Sequence, residues 1–296
     1  MESLPAPADD SWGEDDNPLR YDAYAREYPG YRETSRDLIA LALPSADAGV
    51  ADAAVLDLAC GTGATTREIL AVLGPDGRVT GVDKSAAMLG VAAGSTTDPR
   101  ATWIQARAES VDQHVAGPVD AVICNSAIWQ TDFAATAMAV RAVMKADGRF
   151  AFNVPADFLG AGDSHGSRER YPPLLSEMRA IAERDYGWAP DDGAPGRVRQ
   201  RLTRESICRS LTAAGFDVEQ VTELSHHDSV ESQRAWLSIP IFTRDRLGGL
   251  PYEDRMRVLD KAYERLGPGQ TERAKWTVFA ARASDPGRRG HRGNGG

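Results

Sequence analysis

The segment Val55-Leu56-Asp57-Leu58-Ala59-Cys60-Gly61-Thr62-Gly63 constrains this chain more than any other. Val55 to Ala59 is a short apolar run interrupted by one carboxylate, the pattern of a strand buried on both faces. Two glycines follow, which let the backbone turn tightly and let a ligand approach it closely. A helical stretch comes next, with Ile69, Leu70, Val72 and Leu73 on its apolar side and Gly74-Pro75 to stop it. Such a helix start offers unpaired N–H groups to a polar ligand. A dinucleotide fingerprint would want Gly or Ala at position 66, where Thr66 stands, and would not require an acid ahead of the first glycine.

The alternation continues. Arg78 to Asp83 reads as a second strand, Ser85 as the N-cap of a helix, Ala101 to Ala106 as a third strand and Val119 to Cys124 as a fourth. Thr131-Asp132 caps a helix through Phe133, Ala137 and Val140, and Gly148 to Val154 is a fifth strand. Parallel strands need crossover helices, so this rhythm predicts an α/β fold with a doubly wound, mostly parallel, seven-stranded sheet. Two stretches, 156–200 and 225–270, break the rhythm and read as helical insertions able to cap a site at the sheet's carboxyl edge, with helices from Pro173 to Asp185 and from Pro251 to Gly267-Pro268. Between and after them, Thr203 caps a helix, Phe216 to Leu224 reads as a strand and Trp276 to Ala281 as the last one. The predicted domain runs over 18–284, with a helical N-terminal segment at 18–45. The acidic stretch 1–17 and the Gly- and Arg-rich stretch 285–296 read as disordered tails.

Composition narrows the classes. The 296 residues carry a net charge of −9, which argues against a nucleic-acid partner. Cys60, Cys124 and Cys208 have no paired spacing and no zinc pattern, so they read as reduced thiols with no metal site. No apolar run is long enough for a membrane span, and the acidic N-terminus is unlike a secretory signal. The expectation is a cytoplasmic protein without a membrane partner, and a homo-oligomer is left open.

Asp57-x-x-x-Gly61-x-Gly63, Gly81-Val82-Asp83-Lys84-Ser85-Ala86-Ala87-Met88-Leu89, Val119 to Asn125, and Met144 to Phe150 fall in one order over about residues 53–155. Together they resemble the class I S-adenosylmethionine-dependent methyltransferases, in the small-molecule branch (methyltransferase type 11, ubiquinone-biosynthesis-like). One departure is Ala59, where the fuller pattern has its first glycine. The resemblance implies S-adenosylmethionine as cofactor and S-adenosylhomocysteine as product. It puts Asp83 on the two ribose hydroxyls, with Lys84 and Met88 in the turn that follows. Asp57, Ala59, Gly61 and Gly63 go to the amino-acid end, and the backbone carbonyl of Asn125 to the amino group.

At the adenine edge the family usually has an Asp where Arg107 stands, and Arg cannot accept a hydrogen bond. Three readings stay open: the backbone near Ala108 holds adenine alone, Arg107 stacks on the ring, or Arg107 points to solvent. Glu109 reads as a helix-start residue. In similar enzymes the N-terminal segment folds over the cofactor, which makes Tyr28 a cofactor-contact candidate and Tyr21 a catalytic one. Each of Tyr21, Tyr24, Tyr28 and Tyr31 could equally be packing. Trp129 follows the fourth strand, where the family's acceptor pocket begins, and reads equally as a core aromatic. His165, His226 and His227 are base candidates, the last two placed after the sixth strand.

The leading expectation is methyl transfer to a small-molecule acceptor, a specialised metabolite. Alternatives are a cyclase or methyltransferase-cyclase on the same cofactor, a nicotinamide oxidoreductase, and a regulatory binding protein.

Overall fold

The computed structural model describes residues 11–44, 52–160, 173–189, 202–244, 246–269 and 271–284. The α-helices among the described residues are α1 (Asn17–Glu27), α2 (Gly30–Ala42), α3 (Ala64–Val72), α4 (Ala86–Ser95), α5 (Phe133–Val143), α6 (Pro173–Tyr186), α7 (Arg204–Ala213), α8 (Val230–Leu237), α9 (Pro240–Arg244) and α10 (Tyr252–Leu266). Its strands are β1 (Ala54–Leu58), β2 (Arg78–Asp83), β3 (Ala101–Gln105), β4 (Val119–Cys124), β5 (Met144–Pro155), β6 (Phe216–Ser229) and β7 (Thr271–Ala283). They form a seven-stranded sheet in the order β3-β2-β1-β4-β5-β7-β6. β1 to β5 are parallel and β7 runs antiparallel to β5. The sheet is therefore mixed: seven-stranded and mostly parallel as expected, with the antiparallel β7 as the exception.

The chain divides into two compact units. The larger comprises 31–163, 199–224 and 275–296. Its central strands are buried on both faces because their side chains alternate between two helical layers. Val55, Val79, Ala121 and Ile123 pack with Leu38 and Ile39 of α2 and Ile69 and Leu70 of α3. Leu56, Leu58, Val82 and Val122 pack with Val140 and Val143 of α5 and Ile207 and Leu211 of α7. The strand order reverses between β1 and β4, the place where open α/β sheets hold ligands at their carboxyl edge. Several predicted caps are present. Ser85 Oγ accepts from Met88 N, Asp132 from Ala135 N, and Thr203 forms a reciprocal capping pair with Ser206.

The smaller unit comprises 1–30, 164–198 and 225–274. Leu174, Met178 and Ile181 of α6 pack with Val230 and Leu237 of α8 and Val258, Leu259 and Ala262 of α10. This unit has its own apolar core.

Two strand boundaries need correction, and residues 11–17, expected in the tail, make side-chain contacts. Trp12 packs edge-on against Tyr21 and Phe242, and the buried Asn17 accepts from Ile241 N and donates to Ser11 O. β6 extends past Leu224 to Ser229, so His226 and His227 lie within it and not after it. Mostly polar residues carry its period-two alternation, with Thr222 and His226 half-buried beside the apolar Leu224, and Glu223, Ser225 and His227 exposed. β5 begins at Met144, before the predicted Gly148, with a register irregularity opposite Val119 to Ala121. No helix among the described residues is long and apolar enough to cross a membrane.

Candidate functional site

The turn after β1 is built from left-handed residues. Ala59, Gly61 and Gly63 have φ of 56°, 54° and 77°. Glycine adopts these values without strain and alanine does not, so Ala59 holds the conformation of a glycine at a cost. Cys60 N donates to Val82 O at 3.0 Å and Gly63 N to Cys60 O at 2.9 Å, which ties the turn to β2 and closes it on itself. A Cβ added at Gly63 would stand 2.8 Å from Trp103 of β3, and one at Gly81 would stand 2.5 Å from the same indole. The indole thus packs against the glycine turn.

Two carboxylates flank the turn. Asp83, at the end of β2, accepts from Gly61 N at 2.8 Å and from Ser85 N at 2.9 Å. These two donors fix its orientation beside the turn. Asp57 is 1% exposed and accepts from Thr66 Oγ1 at 2.5 Å. Burial pushes its pKa up to about 7 and the nearby Asp83 charge adds to this, while the Thr66 hydrogen bond opposes it. Thr66 therefore serves a carboxylate, and the Gly or Ala of a dinucleotide fingerprint could not. The Thr62 hydroxyl is buried in the same turn with no hydrogen-bond partner among the described residues. An oriented carboxylate, a helix start and an orphaned hydroxyl on one turn fit the ribose and amino-acid end of an adenosyl cofactor.

Around Arg107, Lys84 O accepts from Gln105 Nε2 at 3.1 Å, and Met88 and Ala108 are buried. The Arg107 side chain is 58% exposed and pairs with Glu109 at 3.4 Å. Glu109, in the helical turn Ala108–Gln113, also accepts from Asp132 N at 2.9 Å. It therefore links that turn to the start of α5.

Beyond β4, Asn125 joins a polar network that the sequence did not reveal. Its Nδ2 lies 3.0 Å from Ser35 Oγ, 3.1 Å from Thr34 Oγ1, 3.2 Å from Tyr31 O and 3.4 Å from Thr65 Oγ1. Its Oδ1 accepts from Asn153 Nδ2 at 2.8 Å. Ser35, Thr65 and Asn153 come from α2, α3 and β5, and no shared motif marks them. The only local hint is a polar residue inside an apolar strand, Asn153 within Phe150-Ala151-Phe152-Asn153-Val154.

The remaining candidates separate. Trp129 belongs to the larger unit, where its ring stacks on Phe158 at 4.7 Å between centroids. Tyr21, Tyr28, His226 and His227 belong to the smaller one. There Tyr28 stacks on Tyr24 at 5.1 Å, and Tyr24 shares a hydrogen bond with Ser232. Desolvation and then the Glu27 charge push the Tyr28 pKa up. His165 lies outside the described residues. Among the described residues no His, Cys, Asp and Glu cluster could hold a metal ion.

Residues 55–148 match a family model described as a methyltransferase domain. No curated protein matches the chain in sequence. The fold is similar to several solved structures. A candidate methyltransferase of Bacillus halodurans C-125 is 16% identical, with a TM-score of 0.50 over 86% of this chain and 100% of that one. The [4+2]-cyclase SpnF is 14% identical, with a TM-score of 0.51 over 85% and 80%. Haemonchus contortus phosphoethanolamine N-methyltransferase 2, in complex with S-adenosyl-L-methionine, is 16% identical, with a TM-score of 0.56 over 94% of this chain and 59% of that one. At such identities the likeness shows the fold.

Proposed function

We propose that this chain, which belongs to the class I S-adenosylmethionine-dependent methyltransferases through its domain at residues 55–148, methylates a small-molecule acceptor. S-adenosylmethionine is the cofactor and supplies the methyl group from its sulfonium. The observation that carries the site assignment is Asp83, whose carboxylate is oriented at the tip of β2 by Gly61 N and Ser85 N. Asp83 is assigned to the ribose hydroxyls. The turn from Ala59 to Gly63, with Asp57 behind it, is assigned to the amino-acid end, and the Asn125 carbonyl to the amino group. Lys84 and Met88 shape the turn beyond the ribose. The buried backbone at Ala108 is assigned to adenine, because the Arg107 side chain is exposed and paired with Glu109.

Methyl transfer needs the acceptor aligned about 3 Å from the methyl and water kept out. It needs a base only where the acceptor must lose a proton early. Three observations support a small acceptor. The net charge is −9. The residues after Asn125 are Ser126-Ala127-Ile128, with no Pro-Pro-aromatic run of the kind used on planar amides and base amines. The insertions form a helical unit with an apolar core of its own. A specialised metabolite is the proposed class. The cyclase reading draws on fold likeness alone.

Calorimetric titration with S-adenosylmethionine and S-adenosylhomocysteine, beside Asp83→Ala, tests the cofactor site. Binding by the wild type that falls at least tenfold in the variant is expected, since a charged hydrogen-bond acceptor is lost. Equal binding would remove Asp83 from the site. Methyl-labelled cofactor incubated with a cell extract tests the acceptor class. Label in the dialysable fraction is expected, whereas label on protein or nucleic acid would overturn the small-molecule reading. An acceptor consumed without gaining a methyl would favour cyclisation.

A further inference from the structure

Ser126, the second residue after β4, has φ of 54°, a left-handed value that few serines adopt. Strain of this kind persists only where the surroundings impose it. Here the imposing group is the Asn153 side chain. Asn153 is fully buried on β5, one residue beyond the Cys124–Phe152 pair of the β4–β5 register. Its Oδ1 accepts from Ser126 N at 2.6 Å and lies 3.5 Å from Ser126 Oγ. Its Nδ2 donates to Asn125 Oδ1 at 2.8 Å. One amide thus grips both sides of the Asn125–Ser126 junction.

The peptide plane gives this grip a consequence. The Ser126 N–H and the Asn125 C=O belong to one planar, trans peptide group, so they point in opposite directions. Holding the N–H on Asn153 therefore aims the Asn125 carbonyl away from β5. The second bond fixes which way the Asn125 side-chain amide faces. With Oδ1 on Asn153, Nδ2 is turned toward Tyr31 O, Thr34 Oγ1, Ser35 Oγ and Thr65 Oγ1. Oxygens of α2 and α3 then hold the residue from the other side. An apolar side chain at 153 would fill the same space in the core and supply neither bond.

We infer that Asn153 is a positioning residue for cofactor binding, setting the direction of the Asn125 carbonyl through the left-handed turn at Ser126. The inference rests on the assignment of that carbonyl to the cofactor's amino group. Asn153 acts through Asn125 and Ser126, with no contact to the cofactor required of it.

The test uses the full chain, S-adenosylhomocysteine as the probe, calorimetry for affinity and thermal unfolding for stability. Asn153→Leu is expected to weaken binding about tenfold, the effect of one buried hydrogen bond lost at the site. Asn153→Ser, whose side chain is too short to reach Ser126 N, is expected to do the same and serves if the leucine variant fails to fold. Ser126→Gly is then added to either variant. Glycine adopts positive φ without strain, so the turn no longer needs its clamp and at least threefold of the lost affinity returns. A purely structural Asn153 would give no such return in affinity. Unchanged affinity in both Asn153 variants, or no recovery on adding Ser126→Gly, overturns the inference alone. A wild-type protein that does not bind S-adenosylhomocysteine overturns the site assignment together with it.

Discussion

The indole of Trp103 stands 2.8 Å from where a Cβ on Gly63 would lie, so a residue on an edge strand dictates a glycine in the turn after β1. Gly81 faces the same ring, with Cβ distances of 2.5 and 2.6 Å to its carbons and 3.0 Å to Cys60 Sγ. Gly81→Ala must move a ring body and not a flexible chain end. It is expected to destabilise the protein by about 1–3 kcal/mol in urea unfolding, the usual cost of overpacking. Trp103→Leu opens room, so the double variant should cost less than the sum of the singles by about 1 kcal/mol. Strict additivity would mean that the contact is not what excludes a side chain at 81.

The orphaned Thr62 hydroxyl yields a prediction with two opposite signs. Buried without a partner, it carries a desolvation cost that a methyl group would not. Thr62→Val is therefore expected to raise stability by about 1 kcal/mol. If the hydroxyl turns to the cofactor on binding, the same variant weakens S-adenosylhomocysteine binding severalfold. Thermal unfolding and calorimetry on one preparation read both. A variant that loses stability would show the hydroxyl to be satisfied within the protein.

The central strands were legible because burial on both faces leaves a dense apolar signature. β2 and β4 fall where Arg78 to Asp83 and Val119 to Cys124 predict them. β6 was half-legible, since Thr222 and His226 mark its inward positions without being apolar. The glycine turn could be read because local spacing sets its geometry, whereas Asp57 and Asp83 were singled out by the resemblance. The Asn125 network could not, since its members lie on three elements and the loop after β4 and meet only in the folded sheet. Trp12 was hidden by its acidic neighbours, which dominate composition while one ring supplies the packing.

Ala59 is a departure from the glycine pattern that the structure explains. Its φ of 56° is the value the glycine would take, so the fold keeps the turn and bears the strain. Ala59→Gly relieves roughly 1–2 kcal/mol of left-handed strain and gives back about 0.4–1 kcal/mol through the freer unfolded chain. The net expectation is unchanged or slightly raised stability. Gly61→Ala, at a φ of 54°, should fall. A clear loss in Ala59→Gly would mean that the methyl group makes packing contacts outweighing its backbone strain.

Asp57 makes stability and cofactor binding respond to pH in opposite senses. Burial raises its pKa from 3.8 to about 7 in the folded chain. Between these values the native state keeps a proton that the unfolded state has released, so stability falls as pH rises, by at most about 1.4 kcal/mol per pH unit. The contribution is complete below the unfolded pKa and is lost as pH rises through about 7. Asp57→Asn removes this slope. Urea unfolding at pH 5, 6, 7 and 8 should show the variant gaining on the wild type at each step. Cofactor binding runs the other way if the ionised carboxylate faces the ammonium of the amino-acid end, because the opposite charge stabilises the ionised form. S-adenosylhomocysteine affinity is then expected to rise from pH 6 to pH 7.5 in the wild type and to stay flat in Asp57→Asn. Parallel unfolding curves would place the proton elsewhere, and parallel affinity curves would remove Asp57 from the ammonium.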